Sequence, residues 1–318
     1  MPPGPLQPSS HPKNDAPDAC DEQRFIALVT AVFCSGADCA ADVAFGVGDD
    51  AAVLRLPGSS DLLLLTIDAI VAGTHFTLAD DLERVGWKAL AVNISDIAAM
   101  GGLPTHAVLS ATVPRSVPLQ RLTRLLDGIR RAADRWQVAV VGGDTVGGPA
   151  LSVSVALLGR VAPEHVCYRH GAQPGDLLVV TGPLGGSLAS GRHLDVEARL
   201  DEARWLVSHC KPSAMMDHSD ALAQDGARKA RAASVQLCLD AGALPLAGGC
   251  SVDQALFDGE DFELLCAFPP ATLTPARRDA YAAAGYRPLH VIGDVRAGEP
   301  CVLLDGRELP AGGFDHFV

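Results

Sequence analysis

Apolar residues recur along this chain in helix-like and strand-like rhythms, separated by glycine-rich turns, and the alternation predicts an α/β (α+β) protein. DEQRFIALVTAVF (21–33) carries helical spacing, and a loop leads from it to an acidic turn in GVGDDAAVL (46–54). DLLLLTID (61–68) is a continuous apolar run closed by a carboxylate, which predicts a buried strand. DLERVGWKALAVNISDIAAMGG (81–102) predicts a long helix that Gly-Gly-Leu-Pro stops. Beyond Val85 it is apolar almost all round, so burial is expected. THAVLSATVP predicts a strand, LQRLTRLLDGIRRAADRW a helix, QVAVVGGD a strand ending on Gly-Gly-Asp, and LSVSVALLGRV a strand closing the first half.

The second half opens with GAQPGDLLVVTGPLGGS, a turn, a strand and a glycine-rich loop. Helical stretches flank AMMDHSDALAQD (214–225). VQLCLDAGALPL follows, then ALFDGEDFELLCAFP, which reads as a strand, and the chain finishes with LHVIGDV, CVLLDG and GGFDHFV. PEHVCYRHGAQPGD breaks the apolar rhythm near 161–172. The expected organisation is therefore a Pro-rich tail over 1–20, one domain over 21–162 and a second over 163–318, with no short-period repeat.

Composition sharpens this picture in two places. The chain has 318 residues, 48% hydrophobic but only 5% aromatic, with 32 glycines, which suits an Ala/Val/Leu-rich enzyme with many tight turns. Its net charge of −13 disfavours nucleic acid and anionic membrane as partners. An anionic substrate would need a local positive charge that the bulk surface does not offer. The nine cysteines are odd in number and contain no CxxC, so free or buried thiols in a reducing cytoplasm are expected, and a structural zinc site is not. The Pro/Ser/Asp-rich start has no basic-then-apolar leader pattern, and no uninterrupted apolar run reaches the ~18 residues of a membrane span.

The candidate chemistry lies in carboxylates at the ends of apolar segments: Asp49 and Asp50, Asp68, Asp96, Asp144, Asp217 and Asp220, Glu260 and Asp261. Taken singly, each has an ordinary role as a helix cap or turn residue. Asp96 resists that role, because it sits inside a nearly all-apolar helix with Asn93 three residues back on the same face. Two carboxylates about 4 Å apart repel by roughly 4 kcal/mol at an effective dielectric near 20. Several such contacts would rival a domain's whole stability of ~5–15 kcal/mol. Converging acids therefore need cations, and Lys88 and Arg169 are the only basic residues close to the motifs. Oxygen-rich sites of this kind select hard ions such as Mg²⁺, which bridge to substrate phosphates. No GxxxxGK[ST] is present, and TGPLGGS without a matching βαβ context reads as a close-packed turn.

GVGDDAAVL, TIDAIVAGTHF, GWKALAVNISDIAAMGG, VVGGDTVGGP, MMDHSDAL and DGEDFELL, in that order, with the terminal GFDHF, resemble the thiamine-monophosphate kinase family of the PurM-like (aminoimidazole ribonucleotide synthetase-like) group. The likeness runs over nearly the whole chain. It implies an N-terminal α/β domain that pairs into a homodimer through its sheet, a C-terminal α/β domain, and ATP bound in the groove between them. The Mg²⁺ ligands it implies are Asp50, Thr66, Asp68, Asp96, Asp144, Asp217 and Asp220. Gly143, Asp144, Arg169 and Ser219 match positions that contact ATP; His75, Glu260 and Phe314 match positions that contact thiamine phosphate. The implied reaction is ATP-dependent phosphorylation of thiamine monophosphate to the diphosphate by direct transfer, with no catalytic base.

Three residues depart from the family's pattern. Ile67 stands where a threonine is usual, so it would serve as a ligand only through its backbone carbonyl. Ala221 stands where the family's Ser-Asp-Gly has glycine, and a positive φ there would be strained. His218 replaces an aliphatic residue beside two of the acids. Related alternatives are a ribonucleotide cyclo-ligase, a selenophosphate synthetase or a hydrogenase-maturation protein, and, from a different class, a non-catalytic metal-binding paralogue.

Overall fold

The computed structural model describes residues 22–33, 40–310 and 312–313. The tail over 1–20 and Phe314 lie outside the described residues.

In the first half, α1 (Glu22–Phe33) precedes a six-stranded sheet and two long helices. The strands are β1 (Val43–Phe45), β2 (Ala52–Arg55), β3 (Leu62–Val71), β4 (Leu103–Val113), β5 (Ala139–Gly147) and β6 (Ser152–Val161). They lie in the order β1-β2-β3-β6-β4-β5, and only β4 and β5 run parallel. The helices are α2 (Leu82–Ala99) and α3 (Leu119–Trp136), the latter linking the parallel pair. Such a crossover is what parallel neighbours require.

The second half holds seven strands: β7 (Leu177–Val180), β8 (Ala214–His218), β9 (Gln236–Leu239), β10 (Glu263–Phe268), β11 (His290–Arg296), β12 (Cys301–Leu304) and β13 (Arg307–Glu308). Their order is β13-β12-β9-β11-β7-β10-β8, antiparallel except for β12 beside β9. The helices are the short α4 (Ser187–Ser190), α5 (Leu200–His209), α6 (Leu222–Ala233), α7 (Val252–Phe257) and α8 (Pro275–Ala283). ALFDGEDFELLCAFP is thus not one strand: its start completes α7, and β10 begins only at Glu263. Ser251 caps α7 with Gln254 in a capping box, so polar pairing overrides the apolar run.

Helix α2 is the axle of the molecule. Asp81 caps it by accepting from the Glu83 N–H at 3.1 Å, and its burial beyond Val85 is nearly complete. One side packs on β3 and β6, another on α3, and the end of the helix reaches α5 and β8 of the second half. Leu64, Ile97 and Leu157 consequently share one core with Leu206, Phe268 and Tyr281. The crossing with α3 depends on two glycines. A Cβ on Gly86 would lie 1.9 Å from the Leu125 carbonyl oxygen, and one on Gly128 would lie 1.8 Å from that of Glu83.

The expectation of a buried strand over 61–68 needs correction. β3 alternates: Leu64, Thr66 and Ile70 face α2, whereas Leu65 and Ile67 face outward and Ile67 is 66% exposed. Edge strand β5 is exposed along its whole length, including Val140, Val141 and Val146. An unbroken apolar run does not reveal whether a helix covers one face or both. No helix among the described residues is long and apolar enough to cross a membrane.

Candidate active site

Three acids far apart in the sequence meet where α2 touches the second sheet. Asp50 comes from the turn before β2, Asp96 from the last turn of α2, and Asp217 from β8. One carboxylate oxygen from each lies within 4.8 Å of the others. Thr66 and Asp68 share the inward face of β3, since strand residues two apart point the same way. Thr66 Oγ1 donates to Asp96 Oδ2 at 2.5 Å, and the Asp68 N–H donates to Asn93 Oδ1 at 3.0 Å. Asn93 in turn donates to the Ala89 carbonyl at 3.1 Å. Helix and strand are thereby locked in register just where the carboxylates gather.

The electrostatics follow from that crowding. Burial, and then the charges of Asp68, Asp217 and Asp50, hold the Asp96 carboxyl well above the usual range against the Thr66 hydrogen bond. Asp217 is raised by burial and then by Asp50, Asp225 and Asp68. Burial and mutual repulsion thus favour the neutral forms of Asp96 and Asp217 until a cation enters.

The paired acids of the opening turn divide their labour. Asp49 takes the Arg169 backbone N–H on Oδ2 at 3.0 Å and lies 3.4 Å from Arg169 Nε, so it fastens the loop before β7. Burial, then Asp50, pushes its pKa up to about 6 against Arg169. Asp50 meets the Arg169 guanidinium through Oδ1, while its Oδ2 is buried with no hydrogen-bond partner among the described residues. Burial disfavours the Arg169 charge, but Asp50 and Asp49 outweigh it and raise its pKa.

Other expected residues fall into different surroundings. Asp220 lies against the Arg228 guanidinium of α6, a cation eight positions downstream that no local motif announces. Asp144 stands on exposed β5, accepts from the Thr145 N–H at 2.9 Å, and is not brought into the three-acid group. Its neighbour Gly143 allows β5 to close on β4, since a Cβ there would lie 2.0 Å from the Leu109 carbonyl oxygen. Ile67 turns its side chain away from the acids, leaving only its backbone on that side. Asp261 is occupied structurally, taking Arg192 at 2.6 Å and the Gly185 N–H at 2.8 Å. His218 is fully buried on β8, with Nδ1 2.9 Å from Asp225 Oδ2. Burial opposes its charge, yet the Asp225 hydrogen bond raises its pKa overall. Ala221 has φ +99°, the strained value expected where a glycine is usual.

Ser219 and two of the three residues expected to contact thiamine phosphate, His75 and Glu260, form a second cluster. The Glu260 N–H donates to the Ser219 carbonyl at 2.5 Å, and Ser187 Oγ donates to the Glu260 carbonyl at 2.6 Å. His75 closes the turn after β3, with Nδ1 accepting from the Val71 N–H at 3.1 Å. Lys88 of α2 reaches both, Glu260 Oε2 at 2.5 Å and the His75 carbonyl at 3.4 Å.

Residues 48–161 match the family model for the AIR synthase related protein, N-terminal domain. Thiamine-monophosphate kinase from Rhodopirellula baltica is 39% identical over 247 residues, 72% of this chain and 77% of that protein. The Aquifex aeolicus thiamine-monophosphate kinase is 32% identical over 300 residues, 85% of this chain and 92% of that protein. A solved structure described as AaThiL complexed with AMPPCP and TMP superposes with a TM-score of 0.81 at 30% identity, covering 93% of this chain and 97% of that one. A two-sheet scaffold with acids converging at the α2 junction thus comes with sequence likeness along most of the molecule: the chain belongs to the thiamine-monophosphate kinase family.

Proposed function

We propose that this chain transfers the γ-phosphoryl group of ATP to thiamine monophosphate, giving thiamine diphosphate and ADP. The observation that carries the reading is the convergence of Asp50, Asp96 and Asp217 within 4.8 Å. It is supported by the nucleotide analogue and TMP named for the related solved structure. The donor set is all oxygen and buried, and Asp50 Oδ2 lacks a partner among the described residues, so the site fits a hard divalent cation. Asp50, Asp96 and Asp217, with Asp68, Thr66 and the Ile67 carbonyl at the rim, would hold Mg²⁺. Asp144 and Asp220 would serve from its edges. When bound, the metal supplies neutralisation of phosphate charge.

The chain's own residues then bind and align. Arg169 presents a guanidinium held by Asp50 and Asp49, suited to an ATP phosphate oxygen. Gly143, Asp144 and Ser219 line the nucleotide side. His75, Glu260 and Phe314 are assigned to the thiamine phosphate. The His75 Nδ1 accepts from the Val71 N–H, so in the neutral ring the proton sits on Nε2. An oxygen of the acceptor phosphate, already ionised at neutral pH, attacks the γ-phosphorus. The bond from that phosphorus to the β–γ bridging oxygen breaks, and ADP leaves with the electron pair. No proton has to be removed first, so no side chain is assigned as a base.

The same reading includes two domains divided near residue 162 and a homodimer formed through the first sheet. Exposed apolar side chains on β3, β4 and β5 (Leu65, Ile67, Val108, Val141) favour such pairing. A cytoplasmic setting accords with free thiols at Cys167, Cys210, Cys238, Cys250, Cys266 and Cys301. The test is ADP release with ATP, Mg²⁺ and thiamine monophosphate, run beside the substrates of the related cyclo-ligase, selenophosphate and hydrogenase-maturation enzymes. Turnover confined to thiamine monophosphate is expected. Turnover only with another substrate, or metal binding without any turnover, would overturn the reading.

A further inference from the structure

Lys88 is buried, at 1% exposure, and the residues it touches, Glu260 and His75, are 5% and 8% exposed. A buried ion pair is a poor way to gain stability, because apolar residues of similar volume serve as well or better. Its place between the two groups assigned to the acceptor points to another use. The Glu260 main chain is already fastened on both sides, through its N–H to Ser219 and its carbonyl to Ser187. It also sits at φ +60°, in the left-handed region. What remains free is the direction of the carboxylate, and Lys88 fixes it by taking Oε2. The same ammonium holds the His75 carbonyl, while the Val71 N–H holds the ring at Nδ1. One nitrogen on α2 therefore orients one acceptor group from each half of the chain, about two turns before Asp96 on the same helix.

We propose that Lys88 is a positioning residue for the acceptor: it aims Glu260 and His75 at thiamine monophosphate and ties their geometry to the helix that carries Asp96. This rests on the function proposed above. A carboxylate aimed in this way suits the cationic or N–H-bearing rings of the acceptor and would repel its phosphate, whereas the His75 Nε2–H suits the phosphate. Lys88 acts through these two groups.

The test uses the full chain and the variants K88M, K88R, E260Q and K88M/E260Q. K88M keeps the apolar stem and removes the charge; it is expected to raise KM for thiamine monophosphate about tenfold or more, with KM for ATP changed by less than about twofold. K88R should recover part of the loss, and K88M should add less than about twofold in the E260Q background. Equal rises in both KM values, an unchanged acceptor KM, or full multiplicative effects in the double variant would overturn the proposal. Should K88M not fold, K88R compared with E260Q carries the same acceptor-against-nucleotide comparison. Melting of the ligand-free variants reads the contact independently: K88M should lower Tm and the added E260Q should restore it. A wild-type chain inactive on thiamine monophosphate with that melting cycle intact defeats the function alone. An intact function with additive melting defeats the role of Lys88.

Discussion

Asp217 lies among acids that raise its pKa, so its charge works against the fold, and only the proposed cation would give it a use. D217N is therefore expected to lower turnover about a hundredfold or more while raising the ligand-free Tm, measured by coupled ADP release and calorimetry. Retained turnover at saturating Mg²⁺ would count against the carboxylate site. Ala221 carries a different strain. At φ +99° and ψ 145° its Cβ occupies a region kept almost entirely for glycine, costing about 1–3 kcal/mol. A221G loses a buried methyl worth about 0.8 kcal/mol and some backbone entropy, so a net gain of about 1 kcal/mol is expected in urea unfolding. Asp96 was legible as a member of the acid cluster because an acid inside an apolar helix has no bland purpose. The Arg228 contact with Asp220 was not, since the turn into α6 sets it and no local pattern announces it.

At the scale of elements, the α2–α3 crossing leaves no room for a side chain at its closest point. G128A should lower stability by about 2–3 kcal/mol, read from the urea midpoint, because its methyl meets the Glu83 carbonyl and backbone must move. Both helices were evident from periodicity, and α3 runs over Leu119–Trp136, the stretch LQRLTRLLDGIRRAADRW. The strands were legible in position but not in environment. DLLLLTID reads as fully buried, yet half of β3 faces outward. The turn between α7 and β10 was hidden too: Glu260 and Phe262 both take positive φ, held there by the carbonyls of Ser219 and His218. Those acceptors lie at the end of β8 and just beyond it, more than forty residues away in sequence.

For the whole molecule, the crowded acids set a pH dependence. The unfolded Asp49 deprotonates near 3.8 and the folded one at about 6, so the unfolded chain sheds its proton first and the metal-free protein loses stability as pH rises from about 4 through 6. The raised Asp96 and Asp217 extend the loss to higher pH. Melting curves from pH 5 to 8 should therefore fall without Mg²⁺, flatten in D96N, and recover with Mg²⁺, which competes with protons for the same oxygens. The exposed apolar strands make a second expectation. On the proposed pairing, wild type should scatter as a dimer and V141D on β5 as a monomer with its circular dichroism intact. A wild-type monomer would remove the basis for the dimer.

Most of the helices and strands, the acidic motifs and the family resemblance were legible in one dimension, because periodicity, glycine turns and motif spacing are local properties. Folding decided which acids met. Asp50, Asp96 and Asp217 belong to three segments that only the docking of α2 between the two halves brings within reach, whereas Asp144 stays on an exposed edge. The tie between Lys88 and Glu260 spans 172 positions, and no spacing rule foretells a contact between a helix of one half and a turn of the other.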